Sequence, residues 1–358
     1  MALSPVRERA AAFCARFGLR VPILLAPMAG ACPPSLSAAV ANAGGLGSCG
    51  ALLLQPDAIA AWARDMRGQS NGAFQMNLWV PDPPPRRDPA HEAEVRRFLA
   101  HWGPSVPPEA SDAVPPDFAA QCEAMLDAAP PIISSVMGLY KPEFVARMRA
   151  KGIVWFANVS TVAEAVAAEA AGADVVVAQG MEAGGHRGCF DAAAAEAGMV
   201  GTMALVPAVV DAVRVPVVAT GGIADGRGVA AAMALGASAV QVGTGFLRCP
   251  EAKTHPAWAA ALDGMRPEGT ALTRAFSGRL GRSVATAYVR AASGADAPAP
   301  APYPVQRALT AAMRADGQAA GDAQRMQVWA GQGAGLARAE AAGDVVARLW
   351  REAEAVLA

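Results

Sequence analysis

Residues 215–245 read VPVVATGGIADGRGVAAAMALGASAVQVGTG, and this stretch decides the fold class of the 358-residue chain. Two apolar runs, Val215–Thr220 and Ala239–Gly243, enclose the alanine-rich stretch Asp225–Leu235, which Gly236 follows. Short apolar runs are typical of buried strands, and a glycine directly after an amphipathic stretch is typical of a helix end. A strand, a helix and a second apolar strand in this order predict a parallel βαβ unit.

The same alternation continues along most of the chain. Six further apolar runs predict strands at Pro22–Met28, Gly47–Leu53, Phe74–Val80, Pro131–Met137, Ile153–Val159 and Val175–Gln179. Helical patterns lie between most of the strands, at Pro34–Ala43, Pro56–Arg67, Pro142–Ala150, Thr161–Ala171 and Thr202–Val213. Eight strand-helix units predict an α/β fold of the (β/α)8 TIM-barrel type, with the helices outside a closed sheet.

An open parallel sheet is the alternative architecture. Such a sheet usually carries a glycine-rich turn with the spacing GxGxxG after its first strand, where a dinucleotide binds. The first predicted strand ends instead in APMAG at residues 26–30, which lacks that spacing. The closed barrel is therefore favoured.

Two segments interrupt the alternation. Residues 81–116 are rich in proline and charge, and we expect them to extend the third strand-helix connection with a short helix at Ala90–His101. Residues 251–325 follow the eighth strand and predict a small, mainly helical domain that caps the barrel mouth. The predicted domains are a barrel at 1–250 with the insertion at 81–116, a cap at 251–325 and a C-terminal segment at 326–358 that returns to the barrel.

Composition and charge exclude several classes of function. The net charge of −1 gives no reason to expect nucleic acid or an anionic membrane as a partner. No apolar run approaches the length of a membrane span, and residues 1–20 lack the long uncharged core of a signal peptide, so we expect a cytoplasmic location. The six cysteines show no metal-ligand spacing, so we expect no metal site. A homodimer is compatible with the sequence, which does not decide the oligomeric state.

One histidine stands out among four. His186 lies in QGMEAGGHRG at residues 179–188, directly after a predicted strand, whereas His91, His101 and His255 lie in proline-rich or polar segments typical of a surface. The carboxyl ends of all barrel strands meet on one face, where loops carry the chemistry. Histidine serves as an acid or a base near neutral pH. His186 is therefore the candidate catalytic residue.

Glycines follow the seventh and eighth strands. The pairs Gly221-Gly222 and Gly243-Thr244 expose backbone N–H groups at the two loops where TIM barrels usually bind phosphate. The alternative is that these glycines only make tight strand-to-helix turns. Because the motif occurs in both loops and the second pair adds the Thr244 hydroxyl, a phosphate-bearing ligand is favoured.

Several motifs together resemble one enzyme family. They are APM at 26–28, FQMN at 74–77, QGMEAGGHRG at 179–188, ALVPAVVD at 204–211, PVVATGGIADGR at 216–227, VQVGT at 240–244, FSGR at 276–279 and WAGQ at 329–332. This set resembles the nitronate monooxygenases, formerly called 2-nitropropane dioxygenases. The resemblance covers nearly the whole chain.

The resemblance implies that FMN lies across the barrel mouth and that alkyl nitronates, and in several members nitroalkanes, react with O₂ to give a carbonyl compound and nitrite. His186 matches the position of the base. The implied cofactor-binding residues are Ala26, Met28, Asn77, Gln179, Gly184, Gly185, Gly221, Gly222, Gly243, Thr244 and Gln332. Ser277 and Arg187 are the implied substrate-binding residues, although Arg187 fits an ordinary salt bridge equally well, and Arg279 belongs to the same motif as Ser277.

Three alternatives stay open at this point. Flavin-dependent enoyl-acyl-carrier-protein reductases share the GGIADGR and GGH motifs, and related proteins act as NADH:quinone reductases, so an NAD(P)H-dependent reductase is the second hypothesis. A flavin-binding protein without catalysis is the third. A phosphate-binding barrel without flavin lacks an obvious catalytic pair, since Glu182 is the one carboxylate near the strand ends.

Overall fold

The structure, a computed structural model, describes residues 4–358. Its strands are β1 (Ile23–Leu25), β2 (Gly47–Gly50), β3 (Phe74–Trp79), β4 (Ile132–Val136), β5 (Val154–Val159), β6 (Val175–Gln179), β7 (Gly185–His186), β8 (Val217–Thr220), β9 (Ala239–Val242), β10 (Thr270–Thr273) and β11 (Gly281–Val284). Eight of them form a parallel sheet in the order β1-β9-β8-β6-β5-β4-β3-β2. A parallel bridge between Leu24 and Leu46 joins the two ends of this sheet. The predicted TIM barrel is confirmed.

The helices surround the barrel. They are α1 (Pro5–Phe17), α2 (Pro34–Asn42), α3 (Pro56–Gln69), α4 (Pro89–Leu99), α5 (Phe118–Ala128), α6 (Pro142–Ala150), α7 (Val162–Ala170), α8 (Thr202–Ala212), α9 (Gly226–Ala234), α10 (Pro256–Ala261), α11 (Ala287–Ala291), α12 (Val305–Leu309), α13 (Ala311–Ala319) and α14 (Ala342–Leu357). The C-terminal α14 packs against α9 and α2, the helices that follow β8 and β1. It therefore occupies the eighth helix position of the barrel.

Local sequence explains where the barrel helices begin. Proline occupies the first turn of α2, α3 and α6, where its missing N–H costs no hydrogen bond. Asp225 and Thr161 precede α9 and α7, and their side chains accept hydrogen bonds from Gly228 N–H at 3.0 Å and Glu164 N–H at 3.2 Å. Such caps satisfy backbone donors that the first helical turn leaves free. The predicted helix starts fall within about two residues of these caps for the same reason.

The interior of the barrel is closed at its amino-terminal end. Apolar side chains from six strands, among them Leu24, Phe156 and Val177, form a buried cluster with Phe13 of α1. The Phe17 ring meets the Phe156 ring edge-on at 5.2 Å. Burying a side chain of this size contributes about 1.5–3 kcal/mol. Because α1 closes this end, the carboxyl end of the barrel is the face that carries the large cavity.

The connection after β3 contains the predicted insertion. Its expected helix is α4, which begins one residue earlier and ends two residues earlier than predicted. The segment continues through a 3₁₀ turn at Pro108–Asp112 into α5, the helix that packs beside α3. The sequence analysis did not place α5, because it follows a long proline-rich stretch.

The segment between β9 and α14 covers the barrel mouth. It holds the short helices α10 to α13, as expected for a mainly helical cap, and in addition β10 and β11. β11 pairs antiparallel with β10 on one side and with β7 on the other, where Gly281 lies opposite His186. These strands were missed because TALT and GRSV lack a clear apolar alternation. Their pairing fastens the cap to the loop after β6.

Across residues 4–358, every helix is too short or too polar to cross a membrane.

Candidate active site

A cavity of about 450 Å³ opens at the carboxyl ends of the barrel strands. This volume lies within the range of about 300–1,000 Å³ that is typical of ligand pockets. Polar side chains from most of the barrel strands form its floor: Gln75, Asn77, Ser134, Asn158, Gln179, Thr220 and Gln241. The cap and the C-terminal segment supply its outer wall.

Two polar atoms of the floor have no hydrogen-bond partner. Gln75 donates through Nε2 to Gln241 Oε1 at 3.0 Å, and Asn77 donates through Nδ2 to Ser134 Oγ at 3.0 Å. Gln75 Oε1 and Asn158 Nδ2 are buried without a partner in the described part of the chain. Since a buried polar group without a partner is costly, these atoms favour a ligand that offers both donors and acceptors.

We call Gly221, Gly222, Gly243 and Thr244 the glycine side of the cavity. Gly221 and Gly222 adopt φ angles of +118° and +73°, a backbone region that side chains disfavour. The backbone N–H groups of Gly222, Gly243 and Thr244 donate to no other group within residues 4–358. A Cβ on Gly243 would lie 3.3 Å from both Ala26 Cβ and Met28 Sδ. The glycine side is therefore a tight cradle of free donors that suits a phosphate.

Loop 6, residues 180–201, passes close to the C-terminal segment. A Cβ on Gly184 would collide with the backbone of Ala330 and Gly331. Gly331 N–H donates to Thr244 Oγ1 at 3.0 Å. Gly184 and Gly185 thus line the cavity beside the glycine side.

We call Trp79, His186 and Trp329 the aromatic side of the cavity. The His186 ring lies between the two tryptophans, at centroid distances of 4.6 Å from Trp79 and 4.7 Å from Trp329. Trp79 also contacts Tyr303 at 5.4 Å. His186 Nε2 lies 2.7 Å from Ser277 Oγ. The pairing of β7 with β11 and these rings fix the imidazole in one place.

His186 is neutral at physiological pH. Burial, followed by the positive charges of Arg307 and Arg279, lowers its pKa from 6.5 to about 3. Removal from water disfavours the charged imidazolium, and nearby cations disfavour it further. A neutral imidazole has one nitrogen with a free lone pair. That lone pair is available to a ligand in the cavity.

The substrate role predicted for Arg187 is corrected by the structure. Its guanidinium donates to the carbonyls of Gln179, Ser160 and Gly198, the last two at 2.9 and 3.1 Å. The residue is 4% exposed and lies outside the cavity wall. Arg187 holds the ends of loop 6 together, which the sequence could not show because its partners are backbone atoms.

Of three further residues predicted to contact the cofactor or the substrate, one lines the cavity and two do not. Gln179 lines the cavity, but its amide donates to His186 O at 3.1 Å and accepts from Gly188 N–H at 2.7 Å. Gln332 lies outside the cavity wall, which its neighbours Gly331 and Gly333 form instead. Ser277 is completely buried behind His186 and does not reach the cavity.

Two arginines of the cap line the cavity and were not predicted. Arg314 donates to Thr310 Oγ1, Gln327 Oε1 and the Arg307 carbonyl, and burial lowers its pKa to about 10. Neither Arg307 nor Arg314 has a carboxylate within 4.0 Å among residues 4–358. Their positive charge is thus available to an anion. No local spacing in the sequence marks either residue.

Comparison with known proteins identifies the family. The sequence profile of the nitronate monooxygenase family matches residues 13–352. The chain belongs to the nitronate monooxygenase family.

Individual members of the family cover almost the full length. A nitronate monooxygenase of Paraburkholderia phytofirmans is 39% identical over 94% of this chain and 93% of its own length. A nitronate monooxygenase of Pseudomonas aeruginosa is 38% identical over 95% of this chain and 98% of its own. The crystal structure of a nitroalkane oxidase from Streptomyces ansochromogenes matches 97% of this chain and 100% of its own, with a TM-score of 0.87 and 36% identity. This nitronate monooxygenase family member is an oxidoreductase with a TIM-barrel fold.

Proposed function

We propose that this protein uses FMN to oxidise alkyl nitronates, and the neutral nitroalkanes from which they form, with O₂ to a carbonyl compound and nitrite. The observation that carries the proposal is the position of neutral His186 in a cavity that also holds Arg307 and the glycine side. A proton acceptor, a cation and a phosphate cradle in one enclosed space match the needs of this reaction.

The residues present fit FMN. The free N–H groups of Gly222, Gly243 and Thr244 would hold the phosphate. Ala26, Met28 and Asn77 would lie along the ring system, and Gly185, which has open space around it, would leave room beside the ring. Bound FMN supplies the redox chemistry, since it accepts electrons from the substrate and passes them to O₂.

His186 provides the proton acceptor. A neutral nitroalkane must lose a proton from the carbon next to its nitro group before it becomes a nitronate. The imidazole can take that proton because it is neutral at pH 7 and is held between Trp79 and Trp329. A preformed nitronate needs no such step, so the two substrates depend on His186 differently.

Arg307 provides charge for the anion. It lines the same cavity as His186 and lowers the histidine pKa through its positive charge. Burial lowers the pKa of Arg307 itself, which therefore gains from an anionic ligand. The nitronate oxygens offer that negative charge, and a guanidinium can donate to both of them.

The test is a rapid-mixing experiment under anaerobic conditions with the purified protein and its flavin. Loss of flavin absorbance on addition of propyl-2-nitronate, with no loss on addition of NADH, is expected. Loss with NADH alone would instead assign the protein to the NAD(P)H-dependent reductases. Absence of FMN from the preparation, together with no binding of added FMN, would refute the proposal.

A further inference from the structure

Ser277 lies between the His186 ring and the backbone of Arg279, two residues further along the chain. Its side chain is completely buried, and Oγ lies 2.7 Å from His186 Nε2. The same Oγ lies 3.3 Å from the Arg279 carbonyl oxygen and 3.4 Å from Arg279 N. The hydroxyl therefore has three partners, of which one is a donor, one an acceptor and one a histidine nitrogen.

Two arrangements of the protons fit these distances. In the first, His186 Nε2–H and Arg279 N–H both donate to Ser277 Oγ, and the hydroxyl donates to the Arg279 carbonyl. In the second, the hydroxyl donates to an unprotonated Nε2, and the Arg279 carbonyl keeps no partner within residues 4–358. Arg279 is 2% exposed, so water cannot replace the lost bond. The first arrangement is favoured because it leaves no buried acceptor unsatisfied.

The other ring nitrogen is open to the cavity. His186 lines the cavity, and its Nδ1 has no hydrogen-bond partner in the described chain. Nδ1 is not enclosed by protein, whereas Asn158 Nδ2 is buried without a partner. In a neutral imidazole with Nε2 protonated, the free lone pair belongs to Nδ1.

We propose that Ser277 holds His186 in the Nε2–H tautomer, so that Nδ1 is the nitrogen that accepts the substrate proton. Ser277 is then a positioning residue, since it does not line the cavity and acts through His186. The inference about the tautomer depends only on the structure, whereas its use on a nitroalkane rests on the proposed function.

The tautomer can be observed directly by ¹⁵N NMR of protein labelled at histidine. The chain has four histidines, and His186→Asn identifies the signals of His186 by their loss. We expect Nε2 of the purified wild-type protein to show the shift of a protonated nitrogen at pH 7.5 and Nδ1 that of an unprotonated one. In Ser277→Ala, both shifts should move towards the values of a tautomer mixture.

Ser37 offers a matched control. Its hydroxyl is also completely buried, donates to the Ser48 carbonyl at 2.6 Å and accepts from Ser48 N–H at 3.2 Å. It lies outside the cavity wall. Ser37→Ala should therefore leave the His186 signals unchanged.

Two NMR results would overturn the inference: a protonated Nδ1 in the wild type, or a wild-type pattern in folded Ser277→Ala. The wild-type spectrum alone decides the tautomer if Ser277→Ala does not fold.

Kinetics then separate this inference from the proposed function. A wrong histidine tautomer can cost up to ~10⁴-fold in kcat. Because Ser277→Ala leaves a mixture, we expect kcat/KM for a neutral nitroalkane to fall by about 10-fold, with a smaller fall for a preformed nitronate. No turnover of either substrate by the wild type would refute the proposed function and leave the NMR result to decide the tautomer. An unchanged kcat/KM in a variant with altered NMR signals would refute the positioning role.

Discussion

The two sides of the cavity are built differently. The glycine side uses backbone N–H groups from two loops that each directly follow a barrel strand, and its key feature is the absence of side chains. The aromatic side gathers Trp79 from β3, His186 from loop 6 and Trp329 from the C-terminal segment, and Tyr303 of the cap packs against Trp79. One side is thus local to the barrel, and the other exists only when the cap is in place.

This difference suggests a division of labour. A backbone cradle binds an anion through donors that no side-chain substitution removes, so it suits a cofactor that stays the same. Side chains from three separate segments can change independently, so they suit a substrate pocket and the chemistry next to it. Substitutions on the glycine side should therefore change cofactor affinity, and substitutions on the aromatic side should change substrate turnover.

The largest effect is expected for His186→Asn. Removal of a positioned base typically loses about 10²–10⁴-fold in rate, so turnover of a neutral nitroalkane should fall by that factor. A preformed nitronate, which has already lost its proton, should be affected much less. Steady-state oxygen consumption with both substrates measures the difference. An equal loss on both would show that His186 does not act as the proton acceptor.

A smaller effect is expected for Arg307→Met. Hydrogen bonds to charged groups contribute about 1.5–3 kcal/mol, so KM for a nitronate should rise by about 10- to 100-fold. Arg307→Lys keeps the charge and should lose less. Arg290, an exposed arginine of the cap on α11, is the control, and Arg290→Met should leave KM unchanged. A normal KM in Arg307→Met would place the anion elsewhere.

On the glycine side, Gly222→Ala should weaken FMN binding. The left-handed backbone costs a non-glycine residue about 1–2 kcal/mol, and the new Cβ would lie 3.1 Å from Glu182 Cβ. We expect the Kd for FMN to rise by about 10-fold. The control is Gly18, which has a similar φ of +67° at the end of α1 with open space around it. Gly18→Ala should lower stability without changing FMN affinity, as measured by fluorescence titration.

A further effect concerns stability against pH. His186 has a folded-state pKa of about 3 against 6.5 when unperturbed, so the unfolded chain takes up the proton first as pH falls. The stability that neutral His186 contributes is present above pH 6.5 and is lost as pH falls towards 3. His186→Asn should therefore show a flatter dependence of unfolding free energy on pH, by at most about 1.4 kcal/mol per pH unit. Urea denaturation at several pH values measures it, and parallel curves would contradict the lowered pKa.

The glycine side could be predicted from the sequence, and most of the aromatic side could not. Gly222 and Gly243 follow apolar runs that can only be buried strands, so their place at the barrel mouth follows from the alternation. Arg307 lies in a short helix of the cap whose packing no local pattern reveals. Arg187 was misassigned because an arginine beside a candidate catalytic histidine suggests a ligand contact, whereas its three partners are backbone carbonyls.

The sequence by itself determined the barrel, the glycine side and the choice of His186 as the candidate base, because each depends on periodicity and on residues adjacent in the chain. Only the tertiary structure decided what surrounds that histidine. Ser277 is 91 positions away from His186, and Trp329 and Arg307 are farther still. Their distances from the imidazole depend on how the cap packs over the barrel, and these distances set both its pKa and the nitrogen that faces the cavity.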